Sequence, residues 1–119
     1  MVKLIGLLKK KPGLTREEFI DYYENHHAPL AVRITPMGHD YRRNYTKMAR
    51  VNGQEVDMAG EYDVVSEVWF RDQKSYEAFS AAMKHPEIFA QIKADEERFL
   101  DRSATKILIV EEHCTVSNP

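Results

Sequence analysis

Asp63-Val64-Val65-Ser66-Glu67-Val68-Trp69-Phe70 is the stretch that decides the fold. It is short, rich in Val and aromatic residues, and reads as a β-strand. Strand alternation puts Val64, Val68 and Phe70 on one face and Val65 and Trp69 on the other. A half-solvated antiparallel strand would alternate apolar with polar, so this one reads as covered on both sides. Two other segments show the same pattern. In the opening strand, Val2 to Lys9, Leu4 and Leu8 alternate with Ile5 and Leu7. In the last, Thr105 to Glu112, Ile107 and Ile109 alternate with Leu108 and Val110.

Helices and turns fill the intervals. Pro12-Gly13 ends the first strand. Thr15 with Glu18 forms a capping box, and Leu14 with Phe19 a hydrophobic staple, so a helix starts there. It is expected to run to about Ala28, because Pro29 disfavours helical geometry in the residue before it. Tyr41 to Val51 reads as a second strand, and Asn52-Gly53 and Ala59-Gly60 mark a loop to the third. A loop without a helix implies antiparallel pairing. Asp72 caps a second helix carrying Tyr76, Phe79 and Met83, which stops at His85-Pro86. Pro86 suits the first turn of a third helix, with Ile88, Phe89, Ile92, Phe99 and Leu100 as its apolar stripe.

The order strand-helix-strand-strand-helix-helix-strand, with right-handed crossovers, predicts an α+β fold: a ferredoxin-like antiparallel four-stranded sheet with its helices on one face. Helices on one face cannot cover both apolar faces. A second copy about a two-fold axis is the simplest cover, so a homodimer is expected. The chain has 119 residues, enough for one domain, read as residues 1–112 with a tail at 113–119.

Composition narrows the function classes. The net charge of −2 is nearly balanced, and no basic stripe interleaves with aromatics, which argues against nucleic acid. Val2 to Leu8 is too short to span a membrane, so no membrane partner is expected. The single cysteine, Cys114, cannot form an internal disulfide and lies in a polar tail. That suits a reducing, cytoplasmic setting. There is no phosphate loop, dinucleotide fingerprint, CxxC or HExxH motif. No cofactor and no metal are expected, since adjacent histidines do not share a helix face.

Candidate chemistry sits in Asn25-His26-His27-Ala28-Pro29, one turn after Tyr22 and Tyr23. His26 lies seven residues after Phe19 and falls on its stripe, with His27 on the flank. In the last turn of a helix, either ring would favour its protonated form and serve as a general acid or an anion ligand. The ordinary alternative is a histidine that caps the last carbonyls or packs in the core. Glu67 is the second candidate, sharing a face with Val65 and Trp69. A buried carboxylate needs a partner or a raised pKa; the ordinary alternative is an ion pair with Arg42 or Arg43. Asn44 and Tyr45 are expected beside the same cavity. Asp95, Glu96 and Glu97 read as a solvated helix face.

Several stretches together resemble the EthD family of dimeric α+β barrel proteins. They are Lys11-Pro12-Gly13-Leu14-Thr15-Arg16-Glu17-Glu18-Phe19, Tyr22-Tyr23, His27-Ala28-Pro29-Leu30, Ser66-Glu67-Val68-Trp69-Phe70 and Asp95-Glu96-Glu97-Arg98-Phe99-Leu100-Asp101. The resemblance implies a ferredoxin-like fold and a face-to-face homodimer forming a dimeric α/β barrel. Each subunit would keep a pocket between its sheet and its helices or loops. Relatives of this kind include methylmuconolactone isomerases and fungal polyketide decarboxylases or dehydratases, all cofactor-free. Carried over, the isomerase histidine falls on His26 and the more general family histidine on His27. The strand tyrosine falls near Tyr45 and the strand glutamate on Glu67. Two departures stand out. Asn52 to Tyr62 contains no histidine where the isomerases use one, and Tyr23 stands where the family usually has tryptophan.

The sequence thus predicts a cofactor-independent acid–base enzyme, a lyase or isomerase, acting on a small aromatic, lactone or polyketide-like compound. His26, His27 and Glu67 are the expected catalytic groups, and Tyr23, Asn44, Tyr45 and Trp69 the expected walls. The alternative is a non-catalytic module that binds a small hydrophobic metabolite.

Overall fold

The structure is a computed structural model and describes residues 2–57 and 61–117. In chain order the elements are β1 (Val2–Leu8), α1 (Arg16–Tyr22), a π-helical turn (Tyr23–His27), α2 (Ala28–Ile34), β2 (Asp40–Tyr45), β3 (Met48–Val51), β4 (Gln54–Asp57), β5 (Val64–Phe70), α3 (Gln73–Lys84), α4 (Pro86–Glu96), a 3-10 turn (Arg102–Ala104) and β6 (Lys106–Val110). The main sheet is antiparallel in the order β2-β5-β1-β6, the ferredoxin-like arrangement that the element order implies.

The helices pack on one face. Phe19 and Tyr23 meet Leu8, Val64, Phe99 and Leu100 there in a continuous buried cluster. Register puts Ile5 opposite Leu108 and Leu7 opposite Val65, on the other face, with Trp69 and Val110 flanking Lys3. One chain leaves that face without helices, and Leu108 is 40% exposed. Ile107 and Ile109 point to the helical side but sit on the edge strand beyond the helices' reach, 61% and 68% exposed. The burial expected on both faces of the last strand is therefore not reached within one chain, and its sheet does not close into a barrel.

Three element boundaries differ from the sequence reading. The expected strand from Tyr41 to Val51 breaks after Tyr45, because β5 begins at its partner Val64 and offers nothing to pair with beyond. The chain leaves the sheet there and forms the β3–β4 hairpin. Asn52 and Gly53, at φ 51° and 77°, supply the two left-handed residues that a type I′ turn requires. Ala59-Gly60 lies outside the described residues.

The first helix does not stop at Ala28. Ala28 keeps right-handed helical geometry, and its N–H donates to Tyr23, five residues back. Pro29 has no N–H to offer and its ring would press on the preceding turn. The wide π-turn opens the ladder where that conflict falls, so the helix passes through the proline. The histidines are therefore inside a helical run, not in its last turn. Finally, α4 ends at Glu96, Phe99 is buried in the turn beyond it, and Phe89 faces outward.

Candidate functional site

The capping box at Thr15 and Glu18 forms as expected, with each backbone N–H bonded to the other's side chain at 2.9 and 3.1 Å. It fixes where α1 begins and so which residues face the sheet. Phe19 and Tyr23 do, one turn apart. An uninterrupted α-helix would bring His26 onto that stripe. The π-turn spends more residues on one turn, which rotates the following side chains back by about one step. His27 is therefore the buried ring, 6% exposed. His26 is exposed and lies against Tyr22 at 4.9 Å between centroids.

His27 borders a cavity of about 300 Å³ between the sheet and the helices. Leu4, Gly6 and Val68 form part of its floor, and Phe79, Met83 and Ile92 of α3 and α4 its far wall. The His27 Nδ1 is 2.8 Å from Asp95 Oδ2, with both side chains largely buried. A carboxylate can only accept, so the neutral ring carries its proton on Nδ1 and leaves Nε2 as a lone-pair acceptor. Nε2 has no hydrogen-bond partner among the described residues and is not sealed from solvent. Asp95 is held from its other oxygen by the Tyr22 hydroxyl at 2.5 Å. Burial, reinforced by the Asp95 carboxylate, raises the Tyr22 pKa, so this hydroxyl stays a donor.

A hydroxyl cluster forms a second polar feature of the cavity. The Tyr23 hydroxyl lies 2.6 Å from that of Tyr41 and 2.7 Å from Ser66 Oγ. Burial raises the pKa of both tyrosines, that of Tyr41 well above 10.0. Behind them, Arg43 lies over the Tyr41 ring at 4.7 Å and is tied to Glu24 through Nε and Nη2, each at 2.8 Å. That hydrogen-bonded pair holds Glu24 below its ordinary range. Tyr45 donates to the same Glu24 and packs on Phe19 and Tyr23. It supports the site from outside the cavity.

Three expected site residues stand on the opposite face of the sheet. Glu67 pairs with Lys3 at 2.8 Å rather than with Arg42 or Arg43. Arg42 bonds Asp40, and Arg43, on the helical face, bonds Glu24. Lys3 also reaches Glu112 and lies 4.1 Å above the Trp69 ring. Burial acts to lower the Lys3 pKa, but its bonds to the two carboxylates outweigh it and the net shift is upward. The bond from Lys3 in turn holds Glu67 below its ordinary value. Asn44 bonds the Val65 carbonyl and Glu67. The Glu67–Trp69–Asn44 group and the His27 cavity are thus separated by the sheet.

The partner of His27 is Asp95, which the sequence reading placed on a solvated face. Glu96, placed there too, borders the cavity. The signal was available: Asp95 lies three residues after Ile92 and four before Phe99, both buried, so it falls on the apolar side of α4. Tyr41 and Ser66 follow from alternation once Val64, Val68 and Phe70 are assigned to the helical face.

Solved structures share this architecture. An EthD family protein from Bacillus halodurans C-125 is 26% identical, with 95% of this chain and 99% of that chain covered at a TM-score of 0.62. An EthD-like protein from Ralstonia eutropha JMP134 is 18% identical, covering 98% and 95% at 0.63. HapK from Hahella chejuensis is 15% identical, covering 100% and 99% at 0.63. The last two speak for the fold alone. No curated protein matches closely enough to lend the chain a function. The EthD domain family model matches residues 11–103, a span that runs from the capped start of α1 past Asp95 and holds His27 and the hydroxyl cluster. The chain belongs to the EthD family.

Proposed function

We propose that the cavity beside His27 is an active site for cofactor-independent acid–base chemistry. The reaction is an isomerisation, decarboxylation or dehydration of a small aromatic, lactone or polyketide-like compound. The observation that carries this reading is the His27–Asp95 pair at 2.8 Å on the wall of a largely apolar cavity. Asp95 fixes the tautomer and stabilises the imidazolium that forms, and Nε2 takes and returns a proton next to a substrate carbonyl. Tyr23 binds substrate and Tyr45 supports it. His26 faces outward and is not assigned a step.

The test is hydrogen–deuterium exchange of α-protons in D2O, followed by NMR, across a panel of neutral ketones and lactones. A His27→Gln variant is expected to lose exchange about 100-fold or more. Undiminished exchange in that variant would remove the catalytic reading. A binding module is the second reading, favoured by the apolar lining; saturable ligand binding without exchange in the wild type would establish it.

We further propose a homodimer through the helix-free face, with Glu67, Trp69 and Asn44 as interface groups in place of catalytic ones. Ile5, Leu7, Val65 and Leu108 supply apolar area on that face. Sedimentation at micromolar concentration should give twice the chain mass, and Val65→Glu should halve it. A wild-type monomer would end this proposal. No helix among the described residues is long and apolar enough to cross a membrane, and a cytoplasmic location is the reading that the single cysteine favours.

A further inference from the structure

The hydroxyl cluster holds a surplus donor. Tyr23, Tyr41 and Ser66 together carry three hydroxyl protons. Their two mutual contacts, at 2.6 and 2.7 Å, use two of them. Among the described residues none of the three hydroxyls has a further acceptor. One O–H is therefore left over in a group whose members all border the cavity. A buried donor without an acceptor is costly, and a ligand oxygen is the natural partner.

Charge around the cavity restricts that oxygen. Among the described residues no Lys or Arg lines the wall. Arg43, behind the tyrosines, is bound through two nitrogens to Glu24. Glu96 borders the cavity and is paired with Arg102 at 3.2 Å. His27 has its own carboxylate in Asp95. A ligand carboxylate would leave water and meet no uncompensated cation.

We propose that Tyr23, Tyr41 and Ser66 are the specificity-determining group of this cavity, selecting an uncharged carbonyl oxygen and rejecting a carboxylate at the same place. The assignment rests on the cavity being the ligand site. It narrows the substrate class to neutral ketones, lactones or esters on an apolar skeleton, and so favours isomerisation or dehydration over decarboxylation.

Three probes of one skeleton test this by two-dimensional NMR titration: 4-phenylbutan-2-one, butylbenzene, which lacks the oxygen, and 3-phenylpropanoate, which replaces the methyl ketone by a carboxylate. The ketone should bind about 5- to 10-fold tighter than butylbenzene and at least about tenfold tighter than the carboxylate. Equal affinity for ketone and hydrocarbon overturns the donor, a carboxylate preference overturns the charge argument, and no binding of any probe overturns both. The triple variant Tyr23→Phe, Tyr41→Phe, Ser66→Ala should lose the ketone preference and keep butylbenzene binding. The wild-type comparison decides the matter even where that variant does not fold. Failure here is separable from failure of the catalytic reading. Exchange activity with no ketone preference sinks only the specificity group, and ketone preference with no exchange sinks only the catalysis.

Discussion

Replacing Asp95 probes the site most sharply, because two substitutions at that position are expected to act on different properties. Asp95 accepts from His27 Nδ1 at 2.8 Å and from the Tyr22 hydroxyl at 2.5 Å, and its side chain is 15% exposed. Asp95→Ala removes both acceptors; it strands the buried His27 Nδ1 donor, at a cost of about 1–3 kcal/mol, and the half-buried Tyr22 hydroxyl, at about 1 kcal/mol or less. The expected loss is roughly 1–4 kcal/mol. With a urea slope of about 1.5 kcal/mol/M, the unfolding midpoint falls by about 2 M. Asp95→Asn behaves differently. Its carbonyl keeps the Tyr22 bond, and its amide donates to His27 Nδ1 once the ring takes the other tautomer. Stability should then fall by no more than about 1 kcal/mol. The new tautomer puts a proton on Nε2, however, so proton abstraction should drop by about 10²–10⁴-fold. Urea denaturation at fixed protein concentration and pH 7 reads the first quantity, and α-proton exchange reads the second. Fixed concentration keeps the comparison valid whatever the oligomeric state. An alanine variant within about 0.5 kcal/mol of wild type would refute the buried contact. An asparagine variant with full exchange would refute the role of the carboxylate in setting the tautomer.

Other perturbations address the frame of the site. A Cβ on Gly38 would lie 2.2 Å from the Trp69 carbonyl oxygen, which accepts from the His39 N–H at 2.6 Å. Gly38→Ala should destabilise by about 1–3 kcal/mol and disturb Met37 in the cavity wall; an unchanged thermal midpoint would contradict the close approach. Acid should weaken the fold through Glu24 and Glu67, both held below their ordinary value of 4.5, by Arg43 and Lys3 respectively. A depressed folded pKa gives stability that is complete above the unfolded value and is lost as pH falls through the folded one. The thermal midpoint of the wild type should decline below about pH 4.5, and Glu24→Gln should flatten that slope. An identical slope in the variant would show that this pair contributes nothing measurable.

Local and periodic features of this chain are legible in the order of its residues. The Thr15–Glu18 box starts a helix because its bonds span three residues. Asp72 caps α3 for the same reason, accepting from Ser75 N at 2.8 Å. The two-sided apolar pattern of Val64–Phe70 marks it as a central strand, and it lies between β1 and β2. Element order then yields the sheet.

What escapes a reading of the sequence depends on competition between distant or non-periodic effects. Pro29 alone argues for a helix end, but a wide turn and packing of Ala28 and Ala31 carry the helix through. That single extra residue in a turn moves the buried ring from His26 to His27. Tyr41 to Val51 is strand-like throughout, and only the start of β5 at Val64 decides where pairing stops. Spacing puts Asp95 on the apolar side of α4, but only the docking of α4 against the π-turn, 68 residues away in the chain, brings it to His27. By itself the sequence determined the four strands of the main sheet, the helices between them and their order, because short-range bonds and alternating burial are written in adjacent residues. Only the tertiary structure decided which histidine meets which acid, because that depends on helix phase and docking, which no local pattern encodes.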